Sequence, residues 1–263
     1  MPLLRWAILL LTLPSGCAAG PDRPACASPP VPPNRAAGVV FCADGSGGFG
    51  NLVPSMKQVV ADARAPLCVE EVGWSHGKRR FLADHLCWSH LKKEAQQFAC
   101  RVQEWHRCHP DQRIYFVGHS AGCAVVLEAA ALLPCGTVDH IVLLSPSVCS
   151  RYDLRPALRC CREEIDVFYS KNDWFILGLG MSLSGTTDRR LPPVAGRVGF
   201  SPMGSSPEDE ALYARVRQYP WGPEVAWTGN TGGHYGSEEP AYLRALILPL
   251  LKPTAAPPQG QQR

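Results

Sequence analysis

The sequence predicts an α/β domain: a mostly parallel sheet with helices on both faces. Short, near-continuous apolar runs alternate with helix-like stretches, the pattern of strands buried on both sides beneath covering helices. One such run, Ile114-Tyr115-Phe116-Val117, breaks into Gly118-His119-Ser120-Ala121-Gly122 and then into an alanine-rich apolar helix pattern, which sets a serine at the apex of a strand–turn–helix. Of the 263 residues, 46% are hydrophobic and 19% charged, an ordinary globular composition, and the length left between two atypical ends suits one domain.

The elements follow in order. The run 38–43 is a short buried strand, and 51–64 is helix-like, with Pro54 tolerated in its first turn. The next strand is 67–74. A long helix is expected over 80–106, where Leu91, Ala95, Phe98, Val102 and Trp105 recur at steps of four and three and form one apolar stripe. The strand 114–117 leads into the serine turn and a helix over 121–133, and further strands are expected at 140–144, 165–170 and 224–228. A closing helix spans 239–251. The long connection 174–223 opens with the apolar, glycine-broken run from Trp174 to Met181; it reads as a lid, as an acyl-pocket wall, or as an insertion packed on the core.

The ends differ from this middle. Arg5 and an apolar stretch from Trp6 to Leu13, too short to span a membrane, read as an export signal over 1–17. Ser15-Gly16-Cys17 resembles a bacterial lipobox, which implies lipidation of Cys17, although Pro14 stands where an aliphatic residue is usual. Ordinary cleavage nearby is the alternative. The proline-rich stretch 18–37 reads as a semi-extended tether before a domain at 38–251, and 252–263 as a disordered tail. An exported protein, held at a membrane through Cys17 or released, is the resulting expectation. The net charge of +3 is too small to argue for nucleic acid or an anionic membrane surface, and Lys78-Arg79-Arg80 reads as a solvated loop or helix start. Twelve cysteines leave pairing open, but Cys42 in a strand and Cys123 in the helix after the turn read as buried thiols. No cysteine or histidine spacing suggests a metal, and no cofactor is expected.

The chemistry centres on Ser120. A side chain at Gly118 or Gly122 would collide with the neighbouring strand or helix, so the two glycines allow a turn tight enough to present the hydroxyl. A serine needs a base. His234, in Gly232-Gly233-His234-Tyr235-Gly236, has glycines that let its loop swing over the carboxyl edge of the sheet. An acid must fix the histidine tautomer. Asp173 follows the strand 165–170 directly, where an Asx turn or helix cap is its other reading, and Asp153 is the alternative acid. Two N–H groups should face a developing oxyanion. Ala121 supplies one at the helix N-terminus, and the loop Asp44-Gly45-Ser46-Gly47-Gly48 supplies the other, from Ser46 or alternatively Gly47. His76, at the carboxyl end of an early strand, is a candidate substrate contact or a structural loop histidine, and Trp174 is a second candidate contact.

The order Ser120, Asp173, His234, each after its own strand, resembles the α/β-hydrolase superfamily of lipases and esterases over roughly 38–251. Asp44 departs from that pattern, since many members carry histidine before the oxyanion glycine. So does the front end, where the tether stands in place of two extra strands. The resemblance implies acyl transfer on a small ester or lipid substrate through an acyl-enzyme, without a cofactor. It leaves open an acyltransferase, thioesterase or peptidase with the same triad, and a lipid-anchored binding module that does not turn over.

Overall fold

A computed structural model of the chain describes residues 36–48, 50–180, 185–191 and 193–251. The signal stretch with Cys17, nearly all of the tether and the tail 252–263 lie outside the described residues. Six strands form one all-parallel sheet in the order β2-β1-β3-β4-β5-β6. They are β1 (Gly38–Ala43), β2 (Leu67–Glu71), β3 (Arg113–His119), β4 (His140–Leu144), β5 (Ile165–Tyr169) and β6 (Val216–Pro220).

The period-two alternation of the inner strands sorts their side chains onto two layers. Val39, Phe41, Ile114, Phe116, Ile141 and Leu143 face a layer with helices α3 (Trp88–Cys108), α4 (Gly122–Ala131) and α5 (Arg155–Cys160). Val40, Cys42, Tyr115, Val117, Val142 and Leu144 face α1 (Leu52–Asp62) and the C-terminal residues Tyr242, Leu243 and Ile247. The stripe Leu91, Ala95, Phe98, Val102, Trp105 is buried along its whole length. Phe41 meets Phe98 and Trp105 edge-on, with ring centroids 5.4 and 5.7 Å apart. Cys42 and Cys123 are free buried thiols.

Several boundaries differ from the sequence expectation. The last strand is Val216–Pro220, not 224–228; the latter falls in a 3-10 turn, Pro223–Thr228. The reason is burial. β6 is an edge strand whose residues are mostly exposed, so Val216-Arg217-Gln218-Tyr219-Pro220 carries no apolar run, whereas Gly222-Pro223 starts a helical turn with a preset φ. The expected helix over 80–106 is two: α2 (Phe81–Leu86) and α3, separated at Cys87, whose φ of −96° and ψ of 76° are not helical. The break turns the buried Asp84 and His85 toward neighbouring loops. The strand expected to reach residue 74 ends at Glu71, although Val72 still donates to the Cys42 carbonyl. The closing segment is irregular, a single α turn followed by π and 3-10 turns. In the connection 174–223, Ala195, Phe200 and Tyr213 join the main core and β6 extends the sheet, so much of it is packed insertion. No helix among the described residues is long and apolar enough to cross a membrane.

Candidate active site

The serine turn leaves β3 at the carboxyl edge of the sheet. Ser120 has φ 53°, a conformation that L-residues adopt only under constraint, and its N–H is held by the Leu144 carbonyl at 2.9 Å. Both flanking glycines are required by space. A Cβ on Gly118 would lie 2.8 Å from the Cys123 Cα, and one on Gly122 would lie 2.1 Å from the Ala43 carbonyl oxygen.

The structure brings the three expected side chains together. Ser120 Oγ is 2.9 Å from His234 Nε2, and His234 Nδ1 is 2.5 Å from Asp173 Oδ2. All three are buried. The other oxygen of Asp173 accepts the Leu177 N–H at 3.3 Å, so one carboxylate both caps the turn after β5 and meets the imidazole. Asp153 has another partner: Arg155 grips both its oxygens at 2.8 Å and holds its carboxyl below the ordinary range. Burial pushes the His234 imidazole below its ordinary value; Asp173 opposes that and the neighbouring His119 adds to it. The Gly232 φ of 86° makes the bend that carries His234 inward.

Ala121 stands at the N-cap of α4, where the first amides lack intrahelical acceptors. The loop after β1 lies against the nucleophile: a Cβ on Gly45 would sit 3.2 Å from the Ser120 Cβ. Within it the Gly47 N–H is committed to Asp84 Oδ2 at 2.7 Å, which leaves Ser46 as the candidate second donor. Beside this loop is an open cleft of about 390 Å³, lined by Asp44, Gly45, Val53, Trp74, Ser75 and Lys78 among others. His76 is turned away from solvent. Its Nδ1 is 2.8 Å from Asp84 Oδ1 and its ring lies 3.7 Å from that of His90, the placement of a structural loop histidine. Trp174 follows Asp173 directly and is 62% exposed, at the edge of the site. Among the described residues no cluster is arranged to hold a metal ion.

No family model and no curated protein matches this chain. Solved structures do. The esterase PE8 superposes with a TM-score of 0.50 at 13% identity, covering 82% of this chain and 97% of its own. Est1E from Butyrivibrio proteoclasticus aligns over 84% of this chain and 91% of its own (TM-score 0.49, 11% identity). An α/β serine hydrolase without a lid from Xanthomonas campestris, XC6422, aligns over 81% of each chain (TM-score 0.44, 15% identity). What is shared with the esterase PE8 is the α/β architecture, a parallel sheet between layers of helices. At these identities the likeness is one of architecture.

Three groups around the site were not legible as site residues. Asp84, 1% exposed, accepts from Gly47 N–H, Ser75 Oγ and His76 N–H and so ties the loop after β1 to the loop after β2. His119 lies within the serine turn itself, against the His234 carbonyl. Glu238 follows the histidine loop and accepts the Asn51 N–H at 2.9 Å. Asp84 and His119 had one signal, polarity inside an otherwise helical or apolar pattern, and Glu238, in the polar run Gly236-Ser237-Glu238-Glu239, had none.

Proposed function

We propose that the chain is a serine hydrolase that cleaves a carboxylic ester through an acyl-enzyme. The observation that carries this reading is the continuous relay from Ser120 Oγ through His234 to Asp173, at 2.9 and 2.5 Å. Ser120 Oγ attacks the carbonyl carbon while His234 Nε2 accepts its proton. Asp173, on Nδ1–H, fixes the tautomer and stabilises the imidazolium. The tetrahedral oxyanion is received by the N–H groups of Ala121 and Ser46. Collapse expels the alcohol, which takes the proton from His234. Water, deprotonated by the same nitrogen, then attacks the acyl carbon, and Ser120 is released with the acid. A low pKa at His234 suits this role, because the base must start neutral.

The ester acyl or alcohol group is assigned to the cleft beside the loop after β1, whose wall Gly45 abuts Ser120. The export signal and Cys17 support a place outside the cytoplasm, with the domain held off a bilayer by the proline-rich tether. Radiolabelled palmitate incorporation that disappears in Cys17→Ser would support the anchor, and equal labelling would exclude it.

The reading is tested by a screen of short- and long-chain p-nitrophenyl esters, thioesters and anilides on the unsubstituted chain and Ser120→Ala. Ester turnover confined to the unsubstituted chain is expected. Preference for a thioester, or transfer to an added alcohol in place of water, would redirect the assignment to a thioesterase or acyltransferase. No turnover of any acyl compound by folded protein would favour a non-catalytic binding module.

A further inference from the structure

Directly behind the nucleophile lies a group of ionisable side chains that acyl transfer leaves unused. His119 is wholly buried. Its Nε2 is 2.9 Å from the His234 backbone oxygen and its Nδ1 is 2.8 Å from Glu238 Oε1, whose side chain is 2% exposed. A backbone carbonyl only accepts, so Nε2 carries a hydrogen. At 2.8 Å an unprotonated Nδ1 beside an ionised carboxylate would be repulsive, so one further proton belongs to the pair. The oxygen sits off the hydrogen-bond axis of the ring nitrogen, which makes the contact an ion pair more than a linear hydrogen bond. The Asn51 N–H on the other Glu238 oxygen favours the carboxylate form, and so places the proton on His119. The electrostatics agree. Burial opposes charge on His119, but Glu238 and the His234 carbonyl outweigh it and raise its pKa, while Glu238 stays below its ordinary value despite burial, through His119 and Asn51.

We propose that the buried His119–Glu238 ion pair is a positioning device for the proton acceptor, pinning the His234 loop to the nucleophile turn and extending activity toward lower pH. The inference rests on His234 being the base. The sign follows from the chemistry. His234 works only as neutral imidazole, so activity is present above its pKa and is lost as pH falls through it. A cation nearby lowers that pKa and moves the loss to lower pH. The groups facing the two rings come from every neighbouring element: Asp173 after β5, Ser120 on the turn, Tyr235 and Glu238 beyond the histidine loop, and Asp44 after β1. Asp44 is pushed up to about 6 by burial and by Glu238, so it is neutral at the acid end and adds no opposing charge there. At 4.8 Å between the centroids of the His119 and His234 rings, one unit charge would move a titration by roughly 2 pH units, and the opposed Glu238 charge leaves about 1.

The test is a nitrogen–proton NMR titration of the histidine rings in the full chain, which requires no turnover and therefore stands apart from the ester assignment. Both ring nitrogens of His119 are expected to be protonated at neutral pH; a singly protonated ring would overturn the proposal without any variant. In His119→Gln the His234 midpoint is expected to rise by about 1 pH unit where the buried Glu238 takes up a proton on losing its partner, and by about 2 where it stays ionised, and the acid limb of kcat/KM rises with it. A folded His119→Gln whose His234 midpoint is unmoved or lowered would equally overturn it, since a merely structural contact would cost stability and leave the midpoint alone.

Discussion

Replacement of Asp84 by alanine tests how the loop beside the nucleophile is held. The carboxylate is 1% exposed and accepts at 2.7 Å from Gly47 N–H, at 2.6 Å from Ser75 Oγ and at 2.7 Å from His76 N–H. Ser75 can rotate toward the Gly77 carbonyl, but the two backbone donors have no such freedom. Each buried donor left unpaired costs about 1–3 kcal/mol, so the two together cost roughly 2–6 kcal/mol. Loss of the buried charge offsets part of this, and a net destabilisation of about 3 kcal/mol is expected. Gly47 is one residue from the candidate oxyanion donor, so the freed loop also misplaces the Ser46 N–H. Removal of one such donor costs about 10²–10³ in kcat, and a loosened one should cost roughly ten- to a hundredfold. Urea unfolding and ester turnover on the same preparation measure both quantities. Asp84→Asn, which keeps one acceptor oxygen, should fall between. An alanine variant with unchanged midpoint and unchanged kcat would refute the reasoning.

Other expectations follow from single observations. Gly122→Ala places a Cβ 2.1 Å from the Ala43 carbonyl and should cost about 3 kcal/mol or more in a thermal melt, whereas Gly233→Ala meets nothing within 4 Å and should melt near the parent. The folded Asp44 carboxyl at about 6 lies above its ordinary 3.8, so its contribution to stability is present at acid pH and lost as pH rises through about 6; Asp44→Asn should flatten that part of the pH–stability curve. Cys42 and Cys123 are wholly buried, and burial pushes both thiols up, so a disulfide reagent at pH 8 should modify exposed Cys108 and Cys135 and spare these two until the protein unfolds.

The inner sheet was legible because its strands are buried on both faces, and burial writes itself as apolar runs. Ile114–Val117 and His140–Leu144 both lie within strands of the sheet. β6 was not legible, since an edge strand with exposed Arg217, Gln218 and Tyr219 has no such signature. The serine turn could be read from two glycines whose absent side chains are a local steric demand. The same local reading found His234 through its flanking glycines and Asp173 through its place at a strand end. Asp84 escaped it, because an acidic residue in a helical pattern reads as solvated unless the break at Cys87 is known. The His119–Glu238 contact escaped for a different reason: its partners meet only when the turn after β3 and the loop before the C-terminal segment are folded together. The order in which strands pair shows in the sequence only as spacing, and so do such long-range contacts.

Active-site labelling tests the central claim most directly. A fluorophosphonate probe phosphonylates a serine only where a base and an oxyanion site activate it. Mass spectrometry of the native full chain should find the adduct on Ser120, with labelling abolished by Ser120→Ala and strongly slowed by His234→Ala. Equal labelling of the parent and Ser120→Ala, or none in a folded parent, would contradict the account.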